Sequence, residues 1–160
     1  MEQREASEDA VMTRIGQAVM LLHGGDRDEA RNRFGSLWSE IGERGQALHR
    51  CTLAHYMADT QDDPRDELAW DLRALAAAEG LTGEEGAHRR DASAVRAFFP
   101  SLHLNLAADY LRLQRFEAAR FHLDRAWKAV GSLGDDGYGA GVRSALGRLE
   151  QRLRGSGAGE

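Results

Sequence analysis

Cys51 and His55 stand four residues apart, and on a helix that spacing puts both side chains on one face. A metal-ligand pair or a Cys/His nucleophilic dyad uses the same arrangement. Zinc needs at least three protein ligands, and the sequence has no HExxH, no CxxC and no second close His/Cys pair to complete a set. His49 points to another side of the same helix, and His23, His88, His103 and His122 fall on separate segments. A buried structural cysteine and a hydrogen-bonded histidine are the plainer reading of the pair. No catalytic residue, metal or cofactor is expected.

Two other stretches carry groups that bind ions elsewhere. Asp135-Asp136-Gly137-Tyr138-Gly139 suggests a calcium or phosphate loop, but lacks the alternating oxygen ligands and final Glu of the one and the preceding strand of the other. A turn with a helix cap explains it. His88-Arg89-Arg90 with Arg96 is a short basic patch, interrupted by Asp91 and preceded by Glu84 and Glu85. It reads as a solvated surface.

Composition narrows the setting. The 160 residues suffice for one domain with a real core, and 42% hydrophobic against 29% charged residues with only two prolines suits a mostly helical globule. A net charge of −5 gives no reason to approach a phosphate backbone or an anionic membrane, so neither nucleic acid nor membrane is an expected partner. No apolar run is long enough to span a bilayer. The lone Cys51 cannot form an internal disulfide, and the polar, acidic MEQREASEDA start is unlike a signal peptide, which predicts a cytoplasmic protein. Of 21 basic residues only Lys128 is Lys; with abundant Ala and Gly this suggests GC-rich coding and a bacterial source.

The elements that would position these groups are helices. Val11, Ile15, Ala18, Val19 and Leu22 recur at helical spacing up to Gly24-Gly25, and Asp26 is placed to cap a second helix that buries Ala30, Phe34, Leu37 and Trp38. A third helix from about 46 to 59 offers Leu48, Thr52, Leu53, Tyr56 and Met57. A fourth, entered through Pro64 in its first turn, offers Leu68, Leu72, Leu75 and Ala76 up to Gly80. Residues 81–90 lack periodicity and read as a mobile loop. Pro100 removes a backbone donor, so a kink or break is expected near Phe99, with helices five and six over about 101–113 and 116–130. A last helix over about 140–153 buries Val142, Leu146, Leu149 and Leu153. The hairpins thus span about 7–41, 46–80 and 101–130, residues 1–153 form one domain, and 154–160 is a disordered tail.

The second helices share a register. With Ala30, Leu68 and Ala119 taken as equivalent, position +4 holds Phe34, Leu72 and Leu123, and +7 holds Leu37, Leu75 and Ala126. In the third hairpin Leu106, Ala107, Tyr110, Phe116, Ala119, Leu123 and Ala126 stand at the small and large packing positions of the tetratricopeptide repeat family. Hairpin one matches through Ala18, Leu21, Gly25, Ala30 and Phe34. The chain resembles that family, and its small actinobacterial members, over most of residues 10–130. The resemblance implies an all-α fold, a right-handed α-solenoid of about three helical hairpins with a C-terminal capping helix.

In that family the first helix of each hairpin lines a concave groove. The resemblance assigns this role to Met12, Ile15 and Val19, to Cys51 and His55, and to Ser101, Leu104, Asn105 and Ala108. Such a mainly apolar groove suits an amphipathic helix or an extended apolar peptide. These residues also have a plainer use, packing against the chain's own 91–99 segment. Phe98-Phe99 would then anchor that segment in the core, or else present a patch to a partner. The resulting expectation is a non-enzymatic protein-interaction module with a protein or peptide partner. Two alternatives stand beside it: a scaffold that homo-oligomerises, and a metal or catalytic site at Cys51 and His55.

Overall fold

The computed structural model describes residues 2–42, 45–83, 89–133 and 136–157, with side chains over 10–42, 45–80, 97–131, 133 and 136–155. Among the described residues the regular structure is all helical. The helices are α1 (Glu2–His23), α2 (Arg27–Ile41), α3 (Ala47–Asp59), α4 (Pro64–Gly83), α5 (Arg89–Arg112), α6 (Phe116–Ala129) and α7 (Gly137–Gly157), with a 3₁₀ turn at Val130–Ser132 after α6.

Local chemistry sets the boundaries. The α1/α2 and α5/α6 turns are built alike. Gly24, Gly25 and Asp26 donate backbone N–H bonds to Met20, Leu22 and Leu21, and Leu113, Gln114 and Arg115 donate to Asp109, Leu111 and Tyr110. The middle residue is left-handed in both, Gly25 at φ 93° and Gln114 at φ 60°. This is a helix stop that glycine makes without strain and glutamine does not. Pro64 opens α4 as expected, and the carboxylate of Asp63 accepts from the Arg65 N–H at 2.8 Å. Asp136 does the same for α7, accepting from Gly139 at 2.8 Å. Asp26 sits at the N-cap of α2 without a side-chain capping bond.

Three cores follow one another along the chain. Ile15, Ala18, Ala30, Phe34, Leu37, Leu53 and Met57 close α1 and α2 onto α3. Cys51, Ala54, Ala74, Ala77, Ala78 and Leu102 join α3, α4 and α5. Ala107, Leu111, Ala119, Leu123, Val142, Leu146, Leu149 and Leu153 join α5, α6 and α7. Among the described residues α1 packs against α2 and α3, α3 also against α4 and α5, and α5 also against α6 and α7. Neither α1 nor α2 approaches α5, α6 or α7.

Several expectations need correction. The chain does not break at Pro100, because α5 runs unbroken from Arg89 to Arg112 with Pro100 buried inside it. Phe98 and Phe99, packed against the Cys51 and Ala54 core, anchor the helix N-terminal to the proline and offset the lost backbone bond. Within the expected 81–90 loop, α4 extends to Gly83 and α5 begins at Arg89, while 84–88 lies outside the described residues. The last helix continues past Leu153 to Gly157, shortening the expected tail, of which 158–160 is likewise outside.

The face of α4 is also rotated from expectation. Leu72 is 40% exposed and Ala76 is exposed, whereas Asp71, Ala74, Ala77 and Ala78 are buried. Helix α4 is held between α3 and α5, and a stripe of alanines lets three backbones approach where leucines would hold them apart. The +4 equivalence of Leu72 with Phe34 and Leu123 therefore does not hold in the packing. Trp38 and Trp70 do pack together, edge to face at 5.1 Å, while Trp127 is 36% exposed.

Candidate functional site

Three helices each bring a polar pair spaced i,i+4 to one locus: His55 and Asp59 from α3, Glu67 and Asp71 from α4, Asn105 and Asp109 from α5. The alanine contacts that draw these helices together leave Asp71 and Asp109 with no solvent, at 1% and 0% exposure. Glu67 is mostly covered. Arg112, one turn beyond Asp109, bonds through Nη2 to a carboxylate oxygen of Glu67 and, at 3.2 Å, to Oδ1 of Asp109. Glu67 and Asp109 thus share one guanidinium, with Asp71 close beside them. Oxygens of Glu67, Asp71 and Asp109 all lie within 4.8 Å of one another.

The electrostatics follow from burial. It raises Asp71 to about 7, with the bond to Asp109 opposing and the charges of Glu67 and Asp59 adding to the rise. Burial raises Asp109 to about 11, reinforced by hydrogen bonding to Asp71 and Glu67. With no cation present, the cluster at neutral pH would keep a proton on Asp109, shared with Asp71. Burial also raises Asp59 and lowers His55, and the attraction between these two opposes both shifts. Neutral His55 accepts at Nδ1 from the Asn105 amide at 3.3 Å, which leaves its ring proton on Nε2.

The groove residues expected from sequence separate into two groups. Ile15 and Cys51 are core residues at 2% and 0% exposure, closed behind the helices rather than open on a groove wall. Burial pushes the Cys51 thiol up to about 12, so it is no ready nucleophile, and His55 turns to Asn105, Tyr56 and Phe98 instead. Met12 is exposed. Val19, His55, Ser101, Leu104, Asn105 and Ala108 are partly buried. Ser101 hydrogen-bonds the Tyr138 hydroxyl of α7. Leu104 and Ala108 pack at the edge of the α5/α6/α7 core, and Val19 at the edge of the α1/α2/α3 core. Of these nine residues, His55 and Asn105 are joined by a hydrogen bond from one helix to the other. Phe98 lies against His55, ring centres 5.8 Å apart.

Sequence reading passed over Asp59, Glu67, Asp71, Asp109 and Arg112. The available signal was the acid repeated at i,i+4 inside helices whose neighbours are apolar, especially Asp71 amid Ala74, Ala77 and Ala78. The leucine spacing of α4 centres its expected apolar face on Leu68, Leu72, Leu75 and Ala76 and leaves Asp71 out of it.

A second polar contact ties α5 to α6. His103 Nδ1 and His122 Nδ1 are 3.0 Å apart and the rings stack at 5.2 Å, so one ring donates and the other accepts. Phe99, Tyr110 and Phe121 close around the pair. Elsewhere, a surface cleft of about 330 Å³ between α1 and α2 is lined by Arg14, Gln17, Glu29, Asn32 and Arg33. Arg14 and Arg33 there are paired, to Glu40 at 2.6 Å and Glu29 at 3.0 Å. No helix among the described residues is long and apolar enough to cross a membrane. No family model, no curated protein and no solved structure matches the chain.

Proposed function

We propose that the chain is a tetratricopeptide-like, right-handed α-solenoid and a non-enzymatic interaction module. It binds a peptide or helix of another protein along the face formed by α1, α3 and α5. One observation supports this reading above the rest: among the described residues the first helices of successive hairpins lie side by side, α1 against α3 and α3 against α5, while α1 and α2 do not approach α6 or α7. Neighbour-only packing is the hallmark of a linear repeat array, and such arrays bind along the surface their first helices share. With Ile15 and Cys51 sealed in the core, the binding residues reduce to Met12, Val19, His55, Ser101, Leu104, Asn105 and Ala108. The groove is then apolar at its ends and polar at His55 and Asn105. The single buried Cys51 accords with a cytoplasmic address.

Photo-crosslinking in the source cell tests the reading. A photoreactive residue at Leu104 or Val19 is expected to trap a partner segment that the same residue at exposed Asn32 or Arg120 does not. Equal trapping at all four positions overturns the groove. Light scattering on the purified chain separates a foreign partner from a second copy, since a monomer at every concentration removes self-association.

A further inference from the structure

We propose that Glu67, Asp71 and Asp109 hold a hard divalent cation between α4 and α5. Their ligand-capable oxygens already lie within 4.8 Å of one another. That spacing fits oxygens sharing one ion, because ligands at about 2.4 Å from a calcium-sized centre stand up to about 4.8 Å apart. Acidic residues alone would say little. Here two of the three carboxyls are within 1% of complete burial, and each keeps an oxygen, Oδ1 of Asp71 and Oδ2 of Asp109, that no donor from outside the cluster reaches. Buried polar atoms are almost always satisfied, so two orphaned oxygens in one cluster mark the place of a missing partner.

Charge points the same way. Once a cation displaces the proton shared by Asp71 and Asp109, the three carboxylates against the guanidinium of Arg112 carry a formal −2, the amount a divalent cation cancels. The donors are all oxygen, which favours Ca²⁺, Mn²⁺ or Mg²⁺ over Zn²⁺. The site is not generic repeat packing. Pairing Ala119 with Ala30 sets the chain offset between hairpins three and one, and at that offset the counterpart of Asp109 is Met20, which is 75% exposed. Hairpin one has no need of a carboxylate there. Glu67 and Asp71 sit one turn apart on α4 and Asp109 faces them from α5, so an ion would clamp the middle hairpin to the next one. Arg112 lies outside the three, bonded to Glu67 and Asp109, and orients both.

The test uses the full chain and Mn²⁺. Electron paramagnetic resonance of free Mn²⁺ is expected to report about one equivalent bound, with Ca²⁺ and Mg²⁺ competing better than Zn²⁺. Mn²⁺ at a hundred times its dissociation constant is expected to raise the melting temperature by about 5 to 10 °C over the same protein in chelator. Asp71→Asn and Asp109→Asn, folded by circular dichroism, lose at least tenfold in Mn²⁺ affinity, whereas exposed Asp62→Asn does not. Should either aspartate variant fail to fold, Glu67→Gln at the rim of the cluster carries the comparison. An undiminished free Mn²⁺ signal with an unchanged melting temperature overturns the site, and means the orphaned oxygens share a proton instead. Binding that survives both Asp71→Asn and Glu67→Gln overturns it equally.

Discussion

At the residue scale, the His103–His122 contact makes stability depend on pH in a calculable direction. Burial lowers His103 to about 4, with His122 and Arg125 adding to the effect, and His122 is lowered by burial and Arg125. An unfolded histidine titrates near 6.5. Below that value the unfolded chain takes up a proton that folded His103 refuses until about pH 4. The pair's contribution is therefore complete above about 6.5 and lost as pH falls toward 4. Asp71 and Asp109, raised by burial, push the other way, so the comparison has to be made between variants. His103→Asn keeps a donor near His122 but cannot take up a proton. Urea unfolding at pH 7 and pH 5 is expected to show wild type losing about 1 kcal/mol more than this variant, a figure halved for the partial exposure of the ring. An equal loss in both proteins would show that the pair does not titrate between the two states.

At the scale of elements, the two matching turns carry opposite backbone costs. Gln114 holds φ 60° without being glycine, a conformation that costs an L-residue roughly 1 to 2 kcal/mol, partly offset by the greater freedom glycine has in the unfolded chain. Gln114→Gly is expected to stabilise by about 0.5 to 1 kcal/mol and Gly25→Ala to destabilise by about 1 kcal/mol, read from denaturant midpoints at constant slope. A Cβ at Gly25 meets nothing within 4 Å, so the loss would be backbone strain alone. The hairpins themselves were legible from glycine turns, Pro64 and apolar spacing. The face of α4 was not. A buried stripe of Asp71, Ala74, Ala77 and Ala78 has lower hydrophobicity than the exposed Leu72 beside it, and only the approach of α3 and α5 from both sides selects the smaller residues. The carboxyl cluster was hidden for the same reason, because its members come from two helices, α4 and α5, and each looks solvated by itself. Pro100 is a related case: the local rule predicts a kink or break near Phe99, and α5 nonetheless runs unbroken through it, with Phe98 and Phe99 packed against the core.

At the scale of the whole molecule, neighbour-only packing has a thermodynamic consequence. In a linear array, stability is close to a sum of hairpin terms and interface terms, so damage stays local. Hairpin one rests on α3 through Ile15, Phe34, Leu37, Leu53 and Met57, and neither of its helices approaches α5, α6 or α7. Helices α3, α4 and α5, by contrast, are each packed on two sides. Native-state hydrogen exchange is therefore expected to open α1 and α2 at a free energy about 2 kcal/mol or more below that of α3, α4 and α5. Phe34 is fully buried and stacks on Tyr56 with ring centres 6.0 Å apart, and truncating such a residue typically costs about 3 to 5 kcal/mol. In a globule with one shared core, Phe34→Ala would lower the protection of every slow amide by that amount. In the array read here it strips protection from α1, α2 and the facing side of α3, while the amides of α5, α6 and α7 exchange as in wild type. Uniform loss across all seven helices would mean a single cooperative core, and the solenoid reading would fall with it.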